Sequence, residues 1–157
     1  MNQDLEEIAA FLRIANKQTY ANAAAAKAPS TRAGSQDYHF EKPPYIYHDT
    51  YFGGTKFIGA EVIYKDGKAI WGMNYFGRLL KDGWSEEVFD KVLRQALMQD
   101  DPNVIPVRGP ATFALDNMTY RFVAQGKLND FVGVEEILDA SGTAIYRCNV
   151  HGGLIEK

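Results

Sequence analysis

The 157-residue chain predicts an α+β domain: an internally duplicated α-β-β-β-β unit forming one or two antiparallel sheets, with two helices packed on one face. Three observations predict it. Residues 57 to 77, FIGAEVIYKDGKAIWGMNYFG, return at 131 to 152 as FVGVEEILDASGTAIYRCNVHG; with one residue inserted in the turn, nine of 21 aligned positions are identical (Phe57, Gly59, Glu61, Ile63, Gly67, Ala69, Ile70, Asn74 and Gly77), where average usage gives about one or two. Two alternating stretches precede each copy, and a stretch with helical spacing opens each half. The expected organisation is one domain, 1–157, with pseudo-repeats at about 4–80 and 84–157.

The elements follow in order. Asp4 with Glu7 resembles a capping box, and Leu5, Ile8, Phe11, Leu12 and Ala15 recur at helical spacing, so a first helix is expected over about 5–17. The segment at about 20–36 has helix formers but no large apolar residue in its ANAAAAKAPSTRAGSQ run, then Pro29 and Gly34; it reads as a mobile surface loop. DYHFE and YIYHDTYF alternate as strands, and Asp66-Gly67 marks a tight hairpin turn inside the first copy of the repeat. In the second half Ser85 is placed to cap a helix. Trp84 and Phe89 are spaced as a hydrophobic staple, and Val88, Val92, Leu93, Ala96 and Leu97 continue the apolar stripe. A loop punctuated by prolines, the strands ATFALD and MTYRFVAQG, and the second copy complete the chain.

Composition limits the function. A net charge of −3 with scattered Lys and Arg offers no basic stripe for phosphates, so direct nucleic-acid binding is not expected. An acidic N-terminal stretch and the lack of a long apolar run argue against a leader peptide and a membrane span, and imply a cytoplasmic protein. The single cysteine, Cys148, reads as a packed thiol. His39, His48 and His151 lack zinc-like spacing, and no phosphate loop, nucleophile elbow or cysteine cluster is present, so neither metal nor cofactor is expected. Tyr45, Tyr47, Asp49 and Tyr51 share a strand face that reads as core ahead of a stacking platform.

Strand alternation divides the hairpins into faces. A two-residue turn at Asp66-Gly67 puts Ile58, Ala60, Val62 and Tyr64 with Ala69, Trp71, Met73 and Tyr75 on a core face, and Phe57, Gly59, Glu61, Ile63, Ile70, Gly72, Asn74 and Phe76 on the other. In the second copy the same arithmetic sets Glu135 opposite Arg147 as a structural pair, with Asn149 and His151 on that face, whereas Glu61 faces Gly72 and has room beside it. The candidate ligand site is therefore Glu61 and Asn74 as polar anchors, Phe57, Ile63 and Phe76 as walls, and the loop residue Arg108. The structural alternative pairs Glu61 with Arg32, Arg78, Arg108 or Arg121.

The ordered motifs TYA, YIYHDTYFGGTKFIGAEVIYKDGKAIWGMNYFGR, VRGP, FVGVEEI and YRCNVHGG resemble a bacterial domain family of unknown function whose members occur alone or behind an XRE-type helix-turn-helix. No helix-turn-helix precedes the domain in this sequence. The resemblance implies no activity and no catalytic residue; it implies a domain that works beside a DNA-binding module, as an effector or partner sensor does.

The expected function is a non-enzymatic small-molecule-binding or sensor domain with a cleft near the pseudo-twofold. One alternative is a protein-interaction domain or homodimer that buries the second sheet face. The other is an enzyme using Glu61, or Glu135 with His151, as general acid or base.

Overall fold

In the computed structural model, which describes residues 3–156, the alternating stretches form eight strands of one sheet. They are β1 (Gln36–Lys42), β2 (Tyr45–Gly53), β3 (Lys56–Lys65), β4 (Lys68–Leu79), β5 (Thr112–Leu115), β6 (Met118–Lys127), β7 (Asp130–Leu138) and β8 (Ala144–Leu154). Their order is β1-β2-β3-β4-β8-β7-β6-β5 and every neighbouring pair is antiparallel, which makes the domain α+β. Each half contributes a four-stranded meander, and the two meanders join where β4 pairs with β8.

The first helix, α1 (Gln3–Gln18), forms as its spacing predicts. Its Ile8, Phe11, Leu12 and Ala15 are buried in one core cluster with Tyr45, Tyr47, Ile63 and Trp71, and the Phe11 ring lies 5.2 Å from that of Tyr45. The second helical segment departs from the regular helix expected. Ser85 caps it by accepting the Glu87 amide, but a π-helical turn (Phe89–Leu93) precedes a short α2 (Arg94–Leu97). Val88, Val92, Leu93 and Ala96 still enter the core. The side chains of Gln3 and Phe89 are outside the described residues, and with them the expected staple between Trp84 and Phe89.

The segment at 20–36 is better anchored than its composition suggests. Tyr20 and Ala21 turn back onto the fold, Ala28 bridges to Asp37 on β1, and the Arg94 guanidinium lies 4.2 Å from the Tyr20 ring centroid. Asp37 is the main tie: its buried carboxylate accepts from Thr31 and Ser35 of the loop and from Thr50 and His48 of β2.

Both hairpins carry the same irregularity, and it overturns the predicted faces. Asp66 and Gly67 form the tight turn with positive φ, and Tyr64 pairs with Ala69 as expected. The register then shifts, so that Ile63 pairs with Trp71 and Ile70 is left over on β4 as a bulge. Beyond it Phe57, Gly59, Glu61 and Ile63 share the buried inner face with Gly77, Tyr75, Met73 and Trp71. Ile58, Ala60 and Val62, expected in the core, face outward with Phe76, Asn74 and Gly72. The second hairpin repeats this at Ile137 and Tyr146, with Ile145 left over.

Candidate functional site

The bulge puts Glu61 on the inner face of β3, directly across from Asp49 on β2. Two carboxyl groups thereby become cross-strand neighbours in the interior, at 4% and 3% exposure. Asp49 accepts a 2.6 Å hydrogen bond from the Tyr75 hydroxyl of β4. Gly59 makes this reach feasible, because a Cβ there would lie 2.4 Å from the Tyr75 ring and 2.6 Å from the Thr50 carbonyl oxygen. Glu61 is left differently: its Oε2 is buried and has no hydrogen-bond partner among the described residues.

Both carboxyls hold protons more tightly than usual. Burial and the Asp49 charge push Glu61 up to about 8, although Arg108 and the Tyr47 hydroxyl act the other way. Burial raises Asp49 to about 6 against the Tyr75 hydrogen bond and Arg108. Near neutral pH the pair therefore holds about one proton between two acids.

A cavity of about 220 Å³ opens over these groups. Its floor is Tyr47, Asp49, Tyr51, Phe57, Glu61 and Tyr75 of the first meander. Tyr20 of the loop after α1 forms one wall, and Leu93, Arg94 and Leu97 of the second helical segment form another, so the π-helical turn lies on the cavity rim. Arg108 closes the inner end.

The sequence-predicted residues fall into two groups. Glu61, Phe57 and Arg108 line the cavity, whereas Ile63 is fully buried beneath it as core. Asn74 and Phe76 lie on the opposite, outward face, because the Ile70 bulge changes the phase of β4 against β3. Gly72 pairs with Val62 on that outward face and gives no space beside Glu61. Asp49, Tyr47 and Tyr75 were absent from the candidate set; Asp49 in the YIYHDTY stretch was the available signal, since a carboxylate amid core tyrosines needs a reason to be there.

The structural pair is corrected in the same way. Glu136, not Glu135, meets Arg147, with Nε of Arg147 2.8 Å from its Oε1, and Arg121 joins from β6. Glu135 points inward and takes Arg108 in a bidentate pair, both bonds at 2.8 Å. It also accepts from the Tyr120 and Tyr146 hydroxyls at 2.7 and 2.8 Å. Burial disfavours the charge on Arg108, yet Glu135 keeps the guanidinium protonated. His151 faces outward across from Asn74 and Val132, away from Glu135. Cys148 is fully buried, and burial pushes its thiol up to about 12, so it is packed and unreactive.

The two hairpins thus present equivalent glutamates in different company. Tyr47 stands across from Ile63 as Tyr120 stands across from Ile137. Where Phe122 faces Glu135, Asp49 faces Glu61. Arg108 turns inward to Glu135, whereas Arg32, its counterpart ahead of β1, is exposed and lies 5.2 Å from the Phe52 ring centroid.

No group of His, Cys, Asp and Glu among the described residues is arranged to hold a metal ion, and no described helix is long and apolar enough to cross a membrane. Residues 49–155 match the sequence model of a family described as "Domain of unknown function (DUF5680)". No curated protein and no solved structure matches the chain. The match covers more than half of the sequence and includes Asp49, Glu61, Arg108 and Glu135, so the chain belongs to that family.

Proposed function

We propose that this member of the DUF5680 family is a non-enzymatic domain that binds a small molecule in the cavity over β2, β3 and β4. The observation that carries the reading is Glu61 Oε2, a buried carboxyl oxygen beside that cavity without a hydrogen-bond partner. Unsatisfied buried polar atoms are costly, roughly 1–3 kcal/mol, and their retention at a cavity is explained by a ligand that supplies the missing partner. The rest of the reading is an internally duplicated α-β-β-β-β chain with its helices on one face, in which Glu135 serves the fold and Glu61 the ligand. A cytoplasmic sensor acting beside a separate DNA-binding protein, without touching DNA itself, is the setting that the bacterial family resemblance implies.

The test is a fragment library of cationic, neutral and anionic compounds, read by thermal shift and ligand-observed NMR. A fragment at one hundred times its Kd adds about 2.7 kcal/mol, or about 5–10 °C for a domain of this size. Binders are expected, and Glu61→Gln is expected to weaken them at least tenfold. A library with no binder, or binders indifferent to Glu61→Gln and Asp49→Asn, refutes the reading.

A second reading, a homodimer through the outward sheet face, is favoured by one observation. A single cross-sheet row runs Ile58, Phe76, Asn149, Val134, Val123. Its apolar members are 37–62% exposed, a concentration that commonly marks an interface. Light scattering after size exclusion decides it: a dimer that Phe76→Lys dissociates supports it, and a monomer at all concentrations ends it.

A further inference from the structure

We infer that the ligand is an organic cation, a protonated amine carried on a small aromatic or apolar body, whose ammonium sits against Glu61 and Asp49. The inference rests on the binding reading above and adds the chemical class.

Charge accounting around the cavity points to it. Three carboxyl groups, Asp49, Glu61 and Glu135, are buried with one guanidinium, Arg108. Glu135 takes the Nε and Nη2 edge of that guanidinium. Arg108 also acts on Asp49 and Glu61, but among the described residues no hydrogen bond joins it to either, so one guanidinium is shared by three carboxyls and acceptors are in excess. An anionic ligand would add a further negative charge, and a neutral one would leave the carboxylate charge uncompensated. A protonated amine supplies up to three donors and the charge.

The other charges facing the pair do not substitute for it. At the rim, Arg94 is engaged by Asp90 and by the Tyr20 carbonyl, and Lys27 by the Gln36 side chain. Glu86 and Asp90 answer these two cations at the rim, so they leave no surplus positive charge there. On the sheet, the hydroxyls of Tyr47, Tyr51 and Tyr75 and the buried Cys148 thiol are neutral at physiological pH, and Asp37 and His48, which also act on Asp49, are bonded to each other. The walls suit a cation as well: Tyr20, Tyr47, Tyr51, Phe57 and Tyr75 offer ring surfaces, to which cations are attracted. The volume of about 220 Å³ exceeds the ~150 Å³ that accommodates benzene in an apolar cavity, which leaves room for a ring and a short amine arm.

Binding must also be linked to protons. Below pH 8 Glu61 holds a proton that an ammonium displaces, so one proton leaves as the cation enters. The affinity for an amine then rises about tenfold per pH unit between pH 6 and 8 and levels off above.

The test uses the intact protein with benzylamine, benzyl alcohol and benzoate, three probes that share a phenyl ring and differ in charge, titrated by calorimetry at pH 6, 7 and 8.5. The expected order is amine over alcohol over benzoate. The amine gains about tenfold from pH 6 to 7, and proton release is seen in buffers of different ionisation enthalpy. Glu61→Gln and Asp49→Asn each flatten the pH dependence; the wild-type series alone decides the matter should either variant fold poorly. Alcohol or benzoate binding as tightly as the amine at pH 8.5 overturns the cation and leaves the binding reading standing. If no probe binds and no fragment of any charge enters the cavity, both are overturned.

Discussion

Replacing each glutamate by glutamine measures the division of labour between the two hairpins. In Glu135→Gln the buried Arg108 guanidinium, whose side chain is 8% exposed, loses a bidentate carboxylate, and the Tyr120 and Tyr146 hydroxyls lose a charged acceptor. Breaking a buried ion pair from one side costs about 3–5 kcal/mol. For a chain of this length that lowers Tm by about 6–20 °C. Glu61→Gln removes no such pair. At pH 7 the Glu61 carboxyl is mostly protonated, so the amide replaces a neutral group of the same shape, and the change should fall within about 1 kcal/mol of zero. The variants also interact: with Glu135 neutralised, Arg108 turns its charge on Glu61 and favours its ionised form, which offsets part of the loss. The double variant should therefore be less stable than the sum of the singles. Thermal melts of all four proteins at pH 7 give the cycle. Should Glu61→Gln cost as much as Glu135→Gln, Glu61 has a structural partner and the assignment of the site fails.

Other consequences are equally direct. Carboxyls that hold protons more tightly in the folded state than in the unfolded one stabilise the fold most at low pH; wild-type stability should decline as pH rises from about 5 to 8 through Asp49 and Glu61 and then level off, and Asp49→Asn/Glu61→Gln should remove most of that decline in urea unfolding. Gly59→Ala forces the Tyr75 ring off β3 and presses on the Thr50 carbonyl, so a loss of more than about 2 kcal/mol is expected, together with weaker fragment binding; an unchanged melt means Tyr75 does not cross β3. Asp37→Asn weakens the tie between the 28–35 loop and β1, and trypsin should then cut after Arg32 several-fold faster while the global melt moves little. The same carboxylate is held below its ordinary range by its four donors in spite of burial, so hydrogen exchange of the Thr31 amide, which donates to it, should lose its protection only in strong acid, read by NMR.

What the sequence made legible depended on whether the signal was local. The eight strands, α1 and the turn at Asp66-Gly67 were all readable, because alternation, capping and repetition are written in neighbouring residues; of the residues singled out, Glu61, Phe57 and Arg108 line the cavity. The join of the two meanders into one sheet was not, since the β4–β8 pairing is long-range and no local pattern specifies it. The faces were misread for one reason. A bulge adds a residue without changing the sequence pattern on either side, and with a period of two a single extra residue moves a whole strand segment to the other face. Ile70 and Ile145 are both identical in the repeat and both the leftover residue, so the repeat preserved the bulge while giving no hint of it. That one-residue shift carried Asn74 and Phe76 out of the candidate site, moved Arg147 from Glu135 to Glu136, and brought Tyr75 in. The same shift explains why Glu61 and Glu135 nevertheless remained the right pair to compare. Both moved together, to the buried side, and the difference between them now rests on what faces each across the sheet: Asp49 for one, and for the other Phe122, with an arginine turned inward from the loop. A scaffold that satisfies a glutamate completely in one hairpin has the means to do so in the other, yet at Glu61 the loop arginine is directed away and Asp49 stands where the sister hairpin has Phe122. Two acids beside a cavity, with the counterpart arginine directed away, are the arrangement on which the proposed cation site rests.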